Sequence, residues 1–165
     1  PNTGVTFEGI NTELISSGFS FTFWLFLDTS LVNYKPRLFN LYESDDTFII
    51  AEISTNLLIV HQRTFEYDTM ASIDIELPQN RWFFVGILFQ YLANDKIMLQ
   101  ISCECHEQRV VTLPTVKWNN QMITLTIGST SNDSVTPDLP SRLGPVGFFS
   151  YIDDESLFPI MDLGP

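Results

Sequence analysis

Ser72-Ile73-Asp74-Ile75-Glu76 sets a hydroxyl and two carboxylates at alternate positions. Residues two apart on a strand share a face, so Ser72, Asp74 and Glu76 form one row. Paired carboxylates across a sugar bond are the machinery of glycoside hydrolysis, one acting as acid/base and the other as nucleophile or as the base toward water. The first place in the row is a serine, so a retaining mechanism would lack its nucleophile, and an ordinary solvated strand shows the same alternation. Other nucleophile systems are missing too. His61 and His106 are the only histidines, no Ser stands in a Gly-x-Ser-x-Gly elbow, and no phosphate-cradling glycine pattern occurs. The expectation is a protein that is not an enzyme.

Two other groups could bind rather than react. Trp118-Asn119-Asn120 offers an indole face beside two amides, the ingredients of a sugar platform. The alternative is structural: the indole caps an edge of the fold and the Asn pair makes a turn. Asp45, Asp46, Asp133, Asp138, Asp153 and Asp154 lie in polar stretches and could hold calcium, which takes carboxylate and carbonyl oxygens. Acidic loops are also what an acidic chain carries anyway. No cofactor is expected, calcium being the one ion these loops could accept.

The cysteines read as structural. Ile97, Leu99, Ile101, Cys103 and Cys105 alternate, which predicts that both thiols continue one apolar strand face. Residues two apart have Cα atoms about 6.6–6.8 Å apart, the outer limit for a disulfide. His106 points to the other face, away from a shared metal.

The 165 residues suit one domain that buries a core without staples. Apolar residues are 44% and charged residues 17%, which excludes a disordered or coiled-coil chain. Eight Lys and Arg against twenty Asp and Glu leave a net charge of −12. Such a chain repels nucleic-acid phosphates and anionic lipid surfaces, so neither is an expected partner. The longest apolar run, Trp82 to Phe89, falls far short of the ~20 residues of a membrane helix. The start at Pro1-Asn2-Thr3 has no initiator Met and no signal-peptide pattern, and reads as a domain cut from a longer protein.

Period-two patterning runs from end to end. Phe19, Phe21, Phe23, Leu25 and Leu27 line one face of a strand, with Ser20 and Thr22 on the other. Ala71, Ile73, Ile75 and Leu77 alternate with polar residues, as do Ile123, Leu125 and Ile127. Arg81–Phe89 is apolar on both faces, as in a central strand covered on each side. Further strands are expected near 5–8, 37–42, 47–53, 57–62, 108–113 and 146–152. Turns are expected at Ser44-Asp45-Asp46, Ser54-Thr55-Asn56, Pro78-Gln79-Asn80, Asn94-Asp95 and Asn119-Asn120, with a long loop over Ser129–Ser141. One helical turn is expected around Glu155–Met161, interrupted by Pro159. Trp24 and Trp82 fall within strands and are expected in the core. The fold class is all-β: an antiparallel two-sheet jelly-roll sandwich, residues 1–165 forming a single domain.

The order of these pieces resembles the concanavalin A-like (laminin-G-like) jelly-roll superfamily. Gly18-Phe19-Ser20-Phe21-Thr22-Phe23-Trp24 is similar to its early G-F-(S/T)-x-x-x-W strand, and Leu77-Pro78-Gln79-Asn80-Arg81-Trp82 to its turn into a central strand. Ile127-Gly128-Ser129, then Leu143-Gly144-Pro145-Val146-Gly147-Phe148-Phe149, is similar to its closing pair. Some members hydrolyse β-glucans with an E-I-D-I-E strand, from which Ser72 departs. Asn80-Arg81-Trp82, Trp118-Asn119-Asn120, the turn Asp153–Ser156 and Leu163-Gly164-Pro165 resemble the lectin-like domain of BEACH-domain (neurobeachin-type) scaffold proteins.

That resemblance implies a non-catalytic interaction or scaffolding module of a larger protein in vesicle or membrane traffic. The domain would then be cytoplasmic, membrane-associated through its parent, and bound to protein partners with basic surfaces. The alternative is an extracellular laminin-G- or lectin-like module that binds glycan or calcium.

Overall fold

The computed structural model describes residues 4–28, 37–54, 57–65, 68–73, 77–104, 106–128, 141–150 and 154–165, with the backbone alone at 68–73, 106–108, 141 and 154. It is all-β, with two antiparallel sheets, the two-sheet class read from the sequence. Among the described residues, eleven strands run β1 Val5–Asn11, β2 Gly18–Leu27, β3 Arg37–Ser44, β4 Thr47–Ser54, β5 Leu57–Arg63, β6 Asp68–Ile73, β7 Trp82–Leu92, β8 Lys96–Cys103, β9 His106–Pro114, β10 Met122–Ile127 and β11 Ser141–Ser150. The chain forms two compact units, each built on one sheet and each assembled from three separate stretches of sequence.

One unit holds the six-stranded sheet, in the order β1-β10-β3-β4-β5-β6. Its alternation is that of a half-buried sheet: Phe39, Leu41, Ile49, Ala51, Ile53, Leu58, Val60, Ile123 and Leu125 are buried. Asn40, Tyr42, Phe48, Glu52, His61 and Thr124 on the opposite face are half-exposed, and Phe48 meets the His61 ring edge-on at 5.0 Å. Ser72 lies on β6, an edge strand of this sheet. Ser72 stands opposite Ile59 while Ala71 and Ile73 stand opposite the buried Val60 and Leu58. The alternation over 71–73 is therefore real; Asp74, Ile75 and Glu76 lie outside the described residues.

The other unit holds the five-stranded sheet, β11-β2-β7-β8-β9. Phe19, Phe21, Phe23, Leu25 and Leu27 of β2 are all buried. The first four stand opposite Phe89, Ile87, Val85 and Phe83 of β7, and Phe19, Phe21 and Phe23 stand opposite Ser150, Phe148 and Val146 of β11. Phe19 stacks on Phe89 at 4.5 Å and Phe21 on Phe148 at 4.7 Å. The expected central strand is β7, paired on both sides. Its second apolar face, Phe84 and Leu88, packs under Leu157 of a short C-terminal helix α1, Leu157–Met161, together with Trp24, Ile160 and Met161. Gly86 makes room for this contact: a Cβ there would stand 2.9 Å from Leu157 Cδ1.

Several expectations need correction. Pro159 does not interrupt the helical turn, because it is the third residue of α1, where an N–H has no intrahelical partner to lose. Trp24 and Trp82 are half-buried on the face opposite the Phe row, with Trp82 edge-on to Phe26 at 5.8 Å. The strand at 97–105 ends at Cys103: Glu104 has φ 55° and β9 starts at His106, so the chain turns where the alternation seemed to continue. Cys105 lies outside the described residues. The last strand starts at Ser141, five residues before the expected 146, and absorbs Gly144-Pro145 through a register break between Leu143 and Val146. An edge strand tolerates such a proline.

Candidate functional site

The stretch Val116–Gln121 leads into β10, and Trp118-Asn119-Asn120 sits there. Asn120 donates its backbone N–H to Glu43 Oε1, and Asn119 donates its side-chain amide to Glu43 Oε2 at 3.3 Å. Glu43 is the penultimate residue of β3, so a strand carboxylate accepts from both asparagines. Thr12 holds the other side: its hydroxyl donates to the carbonyls of Asn120 (3.3 Å) and Gln121 (3.2 Å), and its N–H donates to Gln121 O at 2.9 Å. Trp118 is half-buried and its indole Nε1 is sealed from solvent without a hydrogen-bond partner. The Asn120 backbone N–H, the Asn119 side-chain amide and the indole N–H thus face protein, while Asn119 and Asn120 as residues are exposed: the turn is latched from within the chain.

Asp45 and Asp46 form the tip of the β3–β4 hairpin and are exposed; Asp46 N–H donates to Ser44 Oγ at 3.3 Å. Among the described residues, no group of three or more His, Cys, Asp or Glu is placed to hold a metal ion. Asp133, Asp138 and Asp153 lie outside the described residues, and only the backbone of Asp154 is described.

Three of the residues that carried the family resemblance, Asn80, Arg81 and Gly144, join parts of the five-stranded unit. Asn80, at φ 56°, donates to Leu27 O at 2.8 Å and turns the chain into β7. Arg81 pairs with Glu104 at 3.0 Å and also donates to Trp82 O, joining the start of β7 to the β8–β9 turn. Gly144 admits both tryptophans: a Cβ there would lie 2.9 Å from Trp24 Cβ and 3.2 Å from Trp82 Cζ3. Beside the Arg81–Glu104 pair, Cys103 is a buried free thiol. Burial first and the Glu104 carboxylate second push its pKa up to about 11, with Arg81 pulling weakly the other way. Such a thiol stays protonated and unreactive at neutral pH.

Sequence reasoning did not find Glu43 or Thr12. Neither belongs to a motif, and each meets the turn across more than seventy positions of sequence.

No protein-family model matches the chain, and no curated protein matches it in sequence. Solved structures do. The chain is similar to the receptor-binding domain of botulinum neurotoxin C/D mosaic serotype, with TM-score 0.73, 14% identity, and 96% of this chain against 40% of that one. It is similar to the serotype D binding domain with TM-score 0.73, 15% identity, and coverage of 98% and 41%. A structure of botulinum neurotoxin type C, a toxin whose cell entry is described as dependent upon interaction with two ganglioside molecules, matches with TM-score 0.63, 12% identity, and coverage of 90% and 36%. The likeness is one of fold. This chain spans about two fifths of the length of those chains.

Proposed function

We propose that this domain is a non-catalytic binding module of a larger protein, and that its partners are proteins. The observation that carries the choice of protein over glycan is the Glu43 carboxylate, which takes up the Asn119 side-chain amide and the Asn120 backbone N–H from within the chain. Absence of catalysis is supported by Ser72, a serine on the edge strand β6 where a retaining pair would need a carboxylate. The likeness to receptor-binding and binding domains over nearly the whole chain agrees with a recognition role. The sequence motifs further support a BEACH-type parent in vesicle or membrane traffic, with the domain cytoplasmic and brought to membranes by that parent. Its charge of −12 favours partners with basic surfaces.

A second reading, glycan binding, is favoured by the likeness in fold to botulinum neurotoxin type C, whose cell entry is described as dependent upon interaction with two ganglioside molecules. Catalysis is tested by incubating the domain with a mixed-linkage β-glucan and measuring new reducing ends. No turnover is expected; turnover that Asp74→Asn or Glu76→Gln abolishes would overturn the non-catalytic reading.

A further inference from the structure

Among the described residues, the strand β1 is the outermost of its sheet and pairs with β10 alone. In an antiparallel ladder, alternate residues turn their N–H and C=O away from the partner strand. β1 therefore presents a row of unpaired backbone groups along its free side, the feature that natural edge strands blunt with prolines, bulges or charge. β1 carries such devices beyond Phe7, where Glu8 is charged and Gly9 takes φ 78° at a register break, and two other edges carry them as well. β11 has Gly144-Pro145 and a register break within it, and β9 has a break against β8 and ends at Pro114. The β1 ladder is unbroken over Val5–Phe7, its irregularity coming only between Phe7 and Ile10.

The side chains on that stretch are apolar. Val5 stands opposite Ile127 and Phe7 opposite Leu125, and residues opposite each other project from the same face. Leu125 is buried, yet Phe7 is 47% and Val5 58% exposed. The apolar row that is buried on β10 thus runs out into solvent on β1. A free backbone edge with apolar side chains at alternate positions is what an added strand requires. Glu8 follows directly and is exposed.

We propose that β1 accepts an extended segment of another polypeptide as an added strand, with apolar side chains covering Val5 and Phe7 and a Lys or Arg beside Glu8. The occupant is basic and comes from a different protein: a second copy would bring two chains of −12 each edge to edge. This rests on the binding-module reading above and names where, and by what chemistry, that module is engaged.

The test titrates the whole isotopically labelled chain with a capped seven-residue peptide alternating lysine and valine, and with the same peptide N-methylated at every inner residue. With the first peptide, the Val5–Phe7 amides should shift and gain protection from hydrogen exchange, and the methylated peptide should leave them unchanged. Phe7→Ser should weaken the response about tenfold, with the amide spectrum away from β1 unaltered as evidence of folding. Equal shifts with the methylated peptide would reduce the contact to charge attraction and overturn strand addition. Concentration-dependent protection of β1 without peptide would make a second copy the occupant and overturn the proposal as well. Shifts confined to other strands would overturn the β1 site while leaving the binding-module reading in place. No response at ~1 mM peptide would overturn the site outright.

Discussion

Glu43 accepts the backbone N–H of Asn120, a residue 77 positions further along the chain. The same carboxylate takes the Asn119 side-chain amide, so one acid on β3 fixes the turn that feeds β10. A carboxylate bonded to backbone and amide donors is a stronger acceptor than a neutral group. The Trp118-Asn119-Asn120 turn is therefore held from within the protein.

Removing that acceptor should loosen the turn. Glu43→Ala is expected to cost about 1–2 kcal/mol, a fall in Tm of about 2–8 °C for a domain of this size. Glu43→Gln, which keeps one acceptor oxygen, should cost less. Thermal unfolding followed by circular dichroism reads both.

The contact between Leu157 and Gly86 should behave as a coupled pair. Leu157→Ala empties a buried site on Phe84 and Leu88 and should cost about 2–4 kcal/mol. Gly86→Ala pushes a methyl toward Leu157 Cδ1 and should cost about 1–2 kcal/mol. In the double variant the new methyl meets no leucine, so the two costs should sum to less than their separate values. Urea unfolding of the four proteins closes the cycle; strict additivity would mean that α1 does not rest on β7 in solution.

Gly18 should tolerate no side chain. Its φ is 140°, and a Cβ there would run into the Phe89 carbonyl oxygen. Backbone strain and the clash together predict a loss of about 2–4 kcal/mol for Gly18→Ala, measurable by the same denaturation.

Cys103 gives a pH prediction of definite sign. Its thiol moves from an ordinary value of 9.0 to about 11 in the folded chain, because of burial and then Glu104. Between those values the unfolded chain gives up the proton and the folded chain keeps it, so stability is full below pH 9 and falls as pH rises toward 11. In a Cys105→Ser background, where one thiol is counted, native labelling by a disulfide reagent at pH 8 should be far slower than in urea. Glu104→Gln should shift the labelling profile to lower pH, and Arg81→Gln to higher pH.

Much of this architecture is legible in the residues because strand alternation is local. The Phe19–Leu27 row, the doubly apolar β7 and the alternation ending in Ile127 all fall where period two puts them. Misreadings come where a local signal has two meanings. Gly144-Pro145 reads as a loop but lies in an edge strand, which has no ladder bond there to lose. Pro159 reads as a breaker but stands in the first turn of α1. Cys103-Glu104-Cys105 reads as continued alternation until Glu104 takes a positive φ. The short 3-10 turn Thr12–Ile15 carries a local signal in Asn11, whose Oδ1 accepts the Glu13 N–H at 2.9 Å, an Asx-type cap. What no local pattern carries is strand order. That β1 stands at an edge, and that Glu43 meets Asn120, follow only from the assembled sheet.

The central claim is a binding module whose Trp118-Asn119-Asn120 turn is structural and whose partners are proteins. Its most direct test is a thermal-shift series on the domain with calcium, with EDTA and with a panel of soluble neutral and sialylated glycans. A ligand at a hundred times its Kd adds about 2.7 kcal/mol, a shift of roughly 5–10 °C for a domain of this size. The account predicts a flat panel. A shift of that size with one sugar class, lost in Trp118→Ala, would contradict it and establish a glycan site at the turn.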